Sequence, residues 1–174
     1  MPKIGNKVIN YSVYGKIEGR LTILSDTSNC QLPSIESLSD TVKGAGIMGE
    51  IDFPSFCQIG SMVFTPGFRI DGEHAAALMA PGMQEFEVRW VVDRLDSANI
   101  QMGVDAHKAI IKGMPKKYDP GRVEAGATQD GSNDFEVVYY KKIVNGKAIL
   151  EIDKLNNVFK VNGVDYAASI RAAL

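Results

Sequence analysis

A chain of 174 residues with 19 Lys and Arg against 21 Asp and Glu has a formal net charge of −2, and so lacks the basic excess by which a protein grips phosphates. That length suits one domain, able to bury roughly 70% of the surface its unfolded form exposes without a metal or a disulfide framework. Its 17 glycines and 7 prolines favour many turns between short strands, while 45% hydrophobic and 23% charged residues are ordinary for a globular protein.

Cys30 and Cys57, the only cysteines, fit neither a metal-site spacing nor a dense secreted scaffold, and read as small, partly buried thiols in a reducing compartment. The first residues show no apolar run after their charge, so no secretory signal peptide is expected. No stretch approaches the ~20 apolar residues that a membrane helix needs.

In chain order, residues 8–17 are rich in β-branched and aromatic side chains and predict a strand, with Glu18-Gly19 turning into a second strand over 21–24. Asp26 to Asn29 is a polar break, and Gln31-Leu32-Pro33 resumes an extended path because the residue before proline avoids the helical region. Residues 34–53 show no dominant period. So long a structureless segment inside a compact domain points to disorder or to a segment that finds its partner elsewhere.

A strand is predicted over 58–64, interrupted by Pro66-Gly67. Asp71 can cap a short helix, with Glu73 in its first turn, Ala75, Ala76, Leu78 and Met79 to bury, and Pro81-Gly82 to stop it. Residues 85–93 alternate, with Phe86, Val88, Trp90 and Val92 on one face and Glu85, Glu87, Arg89 and Asp93 on the other. A further strand covers 104–112, with Ala106, Lys108, Ile110 and Lys112 opposite His107, Ala109 and Ile111. Residues 115–133 form a polar, glycine-punctuated connection.

Residues 134–143 alternate up to Asn145-Gly146, a pair that tolerates the two positive φ angles of a type I′ hairpin turn. A two-residue turn sets Ile143 opposite Ala148, Lys141 opposite Leu150 and Tyr139 opposite Ile152. It gathers Phe135, Val137, Tyr139, Ile143, Ala148, Leu150 and Ile152 on the buried face. A short helix is expected from about 164 to 173. Seven or so strands with one short central and one short carboxyl-terminal helix define a mainly β, antiparallel domain of sandwich or barrel type.

No catalytic constellation emerges. Gly44-Ala45-Gly46-Ile47-Met48-Gly49 has the glycine spacing of a dinucleotide loop, but a polar stretch precedes it and Pro54 follows, so the apolar lead-in strand and phosphate-binding helix are missing. It reads as a flexible or interface loop, and no cofactor is expected. His74 and His107 lack companions for a zinc site. Glu85 and Glu87 are explained by an exposed strand face, and Ser34, Ser37 and Ser39 lack a nucleophile elbow.

Glu151-Ile152-Asp153 followed by Asn156-Asn157-Val158-Phe159-Lys160-Val161-Asn162-Gly163-Val164-Asp165 resembles the carboxyl-terminal signature of the major tail tube proteins of contractile-tailed phages. Leu32-Pro33-Ser34-Ile35, Lys43 to Gly49, and Lys116 to Gly126 agree in order, while residues 54–101 match only in their pattern of elements. The resemblance implies one tail-tube domain over 1–174, with a long interaction loop at about 34–53. It further implies a structural virion protein, not an enzyme, whose hexameric rings stack into the inner tube of a contractile tail.

In that family the subunits jointly form a continuous β-barrel around a lumen through which DNA and the tape measure protein pass. The implied partners are other copies, the tail sheath protein, and the baseplate and tail terminator proteins, in a virion tail assembled in the host cytoplasm, with no membrane. The alternative in the same class is the tube of a phage-derived contractile bacteriocin or a secretion needle. From another class, a monomeric β-barrel could bind a small ligand.

Candidate subunit contacts are Leu32, Pro33, Ile35, Leu38, Val42, Gly44, Gly46, Ile47, Met48 and Gly49, together with Val158, Phe159 and Val161 near the end. A conduit for a polyanion should not hold phosphates, so an acidic or neutral lumen is expected, with Glu85 and Glu87 as charge suppliers.

Overall fold

The structure, a computed structural model, describes residues 3–174. β1 (Lys3–Ile17) and β2 (Arg20–Ile23) form the expected first hairpin, with Glu18 and Gly19 both at positive φ. The polar break shrinks to a turn around Asp26, because β3 (Thr27–Gln31) already pairs with β6 (Val63–Phe68). Pro66-Gly67 does not interrupt β6. Pairing with the neighbouring β9 skips Thr65 and Pro66, so the missing proline N–H goes unmissed.

The aperiodic segment is a pair of strands, β4 (Ser37–Lys43) and β5 (Glu50–Ile59), which form their own two-stranded sheet. α1 (Glu73–Ala77) starts at Gly72 without a side-chain cap, so Asp71 does not serve as its N-cap. The helix buries Ala75 and the adjoining Leu78, and Asn133 Nδ2 donates to the Ala75 carbonyl at 2.7 Å.

β7 (Gln84–Asp96), β8 (Gln101–Asp119) and β9 (Gly131–Val144) are the long members. The expected connection over 115–133 therefore narrows to residues 120–130, with strand at both ends. β10 (Lys147–Asp153), β11 (Val158–Val161) and the two-residue β12 (Val164–Asp165) follow. α2 (Ala168–Ala173) is shorter than the predicted helix because Val164 and Asp165 pair with Val161 and Lys160.

The main sheet runs β12-β11-β10-β9-β8-β7-β1-β2, entirely antiparallel, with β6 on the first half of β9 and β3 beyond it. Among the described residues it does not close: β2 and β12 end the main path and β3 ends the branch through β6. It folds over instead. Phe64 on β6, Phe86 on β7 and Phe135 on β9 meet with ring centroids 4.6 to 6.3 Å apart. Offset aromatic contacts of this kind add about 0.5–1.5 kcal/mol each beyond the area they bury. Tyr11 Oη ties the layers again by donating to the Thr27 carbonyl at 2.9 Å.

The carboxyl-terminal hairpin has the expected turn, Asn145 at φ 48° and Gly146 at φ 79°, and Ala148 faces Ile143. The rest of the expected register is off by one. A bulge at Ile149 sets Leu150 opposite Lys142 and Ile152 opposite Tyr140, and a second bulge at Val138 reverses which side of β9 faces inward. Tyr140 therefore enters the core where Tyr139 was expected, and burial pushes its phenol up to about 12. Gly113 sits opposite this second bulge, where a Cβ would lie 2.7 Å from the Glu136 carbonyl oxygen.

Replacing Gly146 with Val puts a β-branched residue at positive φ and is expected to cost of order 1–2 kcal/mol. Urea unfolding of the variant against the parent measures this; equal midpoints would show that the turn relaxes freely.

Candidate assembly surfaces

β4 and β5 form an arm without a core of its own. Every residue of β4 is exposed, and on the paired strand so are Ile51, Phe53 and Phe56. Gly44, Gly46 and Gly49 sit at positive φ in the turn at its tip, between two strands, with Met48 fully exposed. The expected contacts Ile35, Leu38, Val42, Gly44, Gly46, Met48 and Gly49 thus lie together on an exposed ribbon, with Ile47 half-buried in the turn. Phe53 and Phe56 were missed. Ile51-Asp52-Phe53 does alternate across a glycine-rich turn from Leu38 and Val42, a signal too short to register alone.

A second projecting surface is the tongue made by the first residues of β1, the end of β7 and the start of β8. Ile4 pairs with Leu95 and Leu95 with Met102, and these side chains with Val104 leave an exposed apolar face. β1 pairs with β2 only over Tyr14 to Ile17, so among the described residues its outer edge from Lys3 to Ser12 has no strand beside it. On the opposite side, β8 pairs with β9 only from His107 onward, leaving residues 101–105 with a free edge. Asn145 closes the boundary: its side-chain oxygen accepts from Ala106 N–H at 2.9 Å, and its N–H donates to the Ala106 carbonyl at 2.8 Å.

Free edges invite uncontrolled pairing, and β1 carries two irregularities, between Gly5 and Val8 and between Val8 and Asn10. Asp93 holds the first in place. Its carboxylate accepts from Asn6 Nδ2 at 2.8 Å and from Lys7 N–H at 2.7 Å, and these two bonds keep it below the usual carboxylate range.

The face of the main sheet turned away from the core is a charge ladder. Glu85 pairs with Lys16 at 3.6 Å, Glu87 with Arg89 and with Lys108 at 3.1 Å, and Glu151 with both Lys141 and Lys160 at 3.9 Å. Arg89 also lies over the Tyr14 ring at 5.0 Å, and Lys112 over Tyr139 at 5.4 Å. Partial burial pushes the Glu87 carboxyl up, yet hydrogen bonds from Lys108 and Arg89 outweigh it and leave it below its usual range. Glu85 and Glu87 are therefore not free negative charges, because each is matched by a neighbouring base.

The remaining expected contacts are occupied inside the chain. Leu32 packs against the core and Pro33 is buried at the root of the arm. Phe159 also packs against the core, Val161 faces Leu150 across the strand pair, and Val158 lines a crevice with Cys57 and Ile170 of α2. α2 is pinned by Arg171, which donates to Asp165 at 2.5 Å and to the Asn157 carbonyl at 2.6 Å.

The Asp93 clamp gives a pH signature. A carboxyl whose folded-state pKa is lowered contributes stability that is fully present above its unfolded pKa of about 3.9 and is lost as pH falls through the lower folded value. Asp93→Asn is expected to lower the urea midpoint at pH 7, with the deficit shrinking as pH drops below about 4. A deficit independent of pH from 7 to 3 would assign the effect to shape instead of charge.

The model of the phage tail tube protein FII family matches residues 6–174. The tail tube protein of Escherichia phage P2 is 25% identical over 137 residues, covering 77% of this chain and 78% of that protein. Among solved structures, a chain in the six-fold symmetrised cryo-EM structure of the anti-feeding prophage baseplate is similar at 15% identity with a TM-score of 0.36, covering 78% of this chain and 92% of that one. The family match takes in the arm, most of the tongue and the carboxyl-terminal strands together, and the chain belongs to the phage tail tube protein family.

Proposed function

We propose that this chain is a structural subunit that assembles into hexameric rings, and that the rings stack into the inner tube of a contractile phage tail, the conduit for DNA ejection. The observation that carries the reading is the arm. A lone two-stranded ribbon is marginal in water, and this one exposes Leu38, Val42, Ile51, Phe53 and Phe56. A neighbouring copy is the partner that a tail tube subunit meets most often, and a ring of copies covers such a surface at every position.

Ring closure would use the free edges of β1 and β8, joining the open sheets of neighbours into one barrel wall. The laddered face would then line the lumen. Its bases are held by carboxylates and aromatic rings, which limits the phosphate contacts that would retard a passing polyanion. The sheath, tape measure, baseplate and tail terminator proteins are the partners of such a tube, assembled in the host cytoplasm.

Replacing residues 38–55 with a short Gly-Ser linker should leave a folded monomer with a nearly unchanged melting temperature and no tubes in negative stain. Tubes of parental diameter from that variant would sink the reading. Truncation after Asp165 should give soluble, assembly-defective protein, because it removes α2 and uncovers Phe159 and Cys57. Glu87→Lys leaves Arg89 and Lys108 uncompensated and adds a third base, so rings should still form while DNA passage slows in a salt-dependent way. Passage at the parental rate would show that this face lies outside the lumen.

A further inference from the structure

The two faces of the arm differ in kind. The register pairs Asp40 with Phe53 and Val42 with Ile51, and period-two alternation puts Leu38 on that same side. The opposite side is already satisfied, since Thr41 Oγ1 donates to Asp52 at 2.8 Å and Lys43 meets Glu50 at 3.4 Å. Asp40 stands alone among the apolar side chains, with no hydrogen bond or ion pair among the described residues. Covering that side with an apolar surface strands its charge unless a cation meets it. The receiving surface must therefore be apolar and must offer an unpaired base.

The body has such a place. Where β3 parts from β1 and β7, the core-side face of the sheet opens as a groove of about 490 Å³, with Val8, Leu32, Val88 and Trp90 giving it an apolar floor and Asn10, Ser28 and Asn29 a polar rim. His107 stacks on Trp90 at 5.2 Å, with a buried Nδ1 that lacks a hydrogen-bond partner. Lys142 Nζ lies over the same indole at 5.9 Å and, among the described residues, has no carboxylate in ion-pair range. The chain's own arm does not fill the groove: Leu38, Val42, Ile51 and Phe53 are all exposed.

We propose that the arm of a second copy lies with its apolar side in this Trp90 groove and that its Asp40 carboxylate pairs with the Lys142 ammonium. The inference rests on the self-assembly reading above and names the surface that receives the arm. It predicts that forming a tube takes Trp90 out of water.

Trp90 is the only tryptophan, so its emission reports on the groove directly. Assembly of the full chain should shift that emission to the blue. Asp40→Lys and Lys142→Glu should each raise the protein concentration needed for assembly at least about tenfold, and the double variant should bring it back near the parental value. Lys142→Met, which removes the charge without reversing it, should weaken assembly while keeping the parental circular dichroism, separating the pair from any folding role of Lys142.

Single variants that assemble like the parent, a double variant no better than the singles, or tubes with unshifted Trp90 emission would overturn the pairing and leave self-assembly standing. A parent chain that remains monomeric at all concentrations would overturn both.

Discussion

The strands of this protein outrun the core that covers them. β8 has 19 residues, which at about 3.3 Å each spans on the order of 60 Å. The buried cluster around Phe64, Phe86 and Phe135 covers only the middle of that length. Folding β6 and β3 back over β7 and β1 satisfies this middle and leaves the far ends of β1, β7 and β8 without a second layer. The same fold-over sends the chain out at Pro33 and back at Ile59, so the arm leaves the body at a buried root and its residues beyond Cys57 gain little from the core. Tongue and arm are thus consequences of one packing decision, and both present exposed apolar surface.

Electrostatics follow the same geometry. Strand pairing places Glu85 opposite Lys112 and near Lys16, and sets Arg89 opposite Lys108, with Glu87 two residues along the same strand reaching both. On an exposed sheet such pairs add little stability, about 0–1 kcal/mol each. Their effect is on the local field: Glu85, Glu87 and Glu151 each sit beside at least one base, so the carboxylates of this face are matched while its six bases, Lys16, Arg89, Lys108, Lys112, Lys141 and Lys160, outnumber them.

Much of this was legible in the sequence where local rules decide the outcome. The alternation of 85–93, the Glu18-Gly19 turn and the Asn145-Gly146 turn all stand, because the patterns are long or the turn chemistry specific. The hairpin register failed beyond its first pair because bulges at Val138 and Ile149 are set by what packs across the sheet: Ile152 and Tyr140 reach the core, and Lys154 N–H donates to the Val138 carbonyl. No propensity in Tyr139-Tyr140 announces which ring goes inward. The arm escaped because its apolar side is interrupted by Asp40, so alternation is visible only once the two strands are laid together. The ion-pair partners of Glu85 and Glu87 come from β1 and β8, distant in sequence, and follow only from register.

Asp40 then has a meaning beyond its cost. An exposed ribbon with an unbroken apolar side would pair with any like ribbon, and two arms stacked face to face would bury Leu38, Val42, Ile51 and Phe53 from both. With Asp40 in the middle of that side, the same stacking brings two uncompensated carboxylates into an apolar interface, which is strongly unfavourable. A groove bordered by an ammonium removes the penalty. A single charge therefore discriminates between arm-on-arm association and arm-on-groove docking, in the way polar residues at apolar seams select among partners at some expense of affinity. The bulged edge of β1, held by Asp93, disfavours premature edge pairing on the other projecting surface. On this reading each exposed surface is attractive to one geometry and repellent to the nearest alternative.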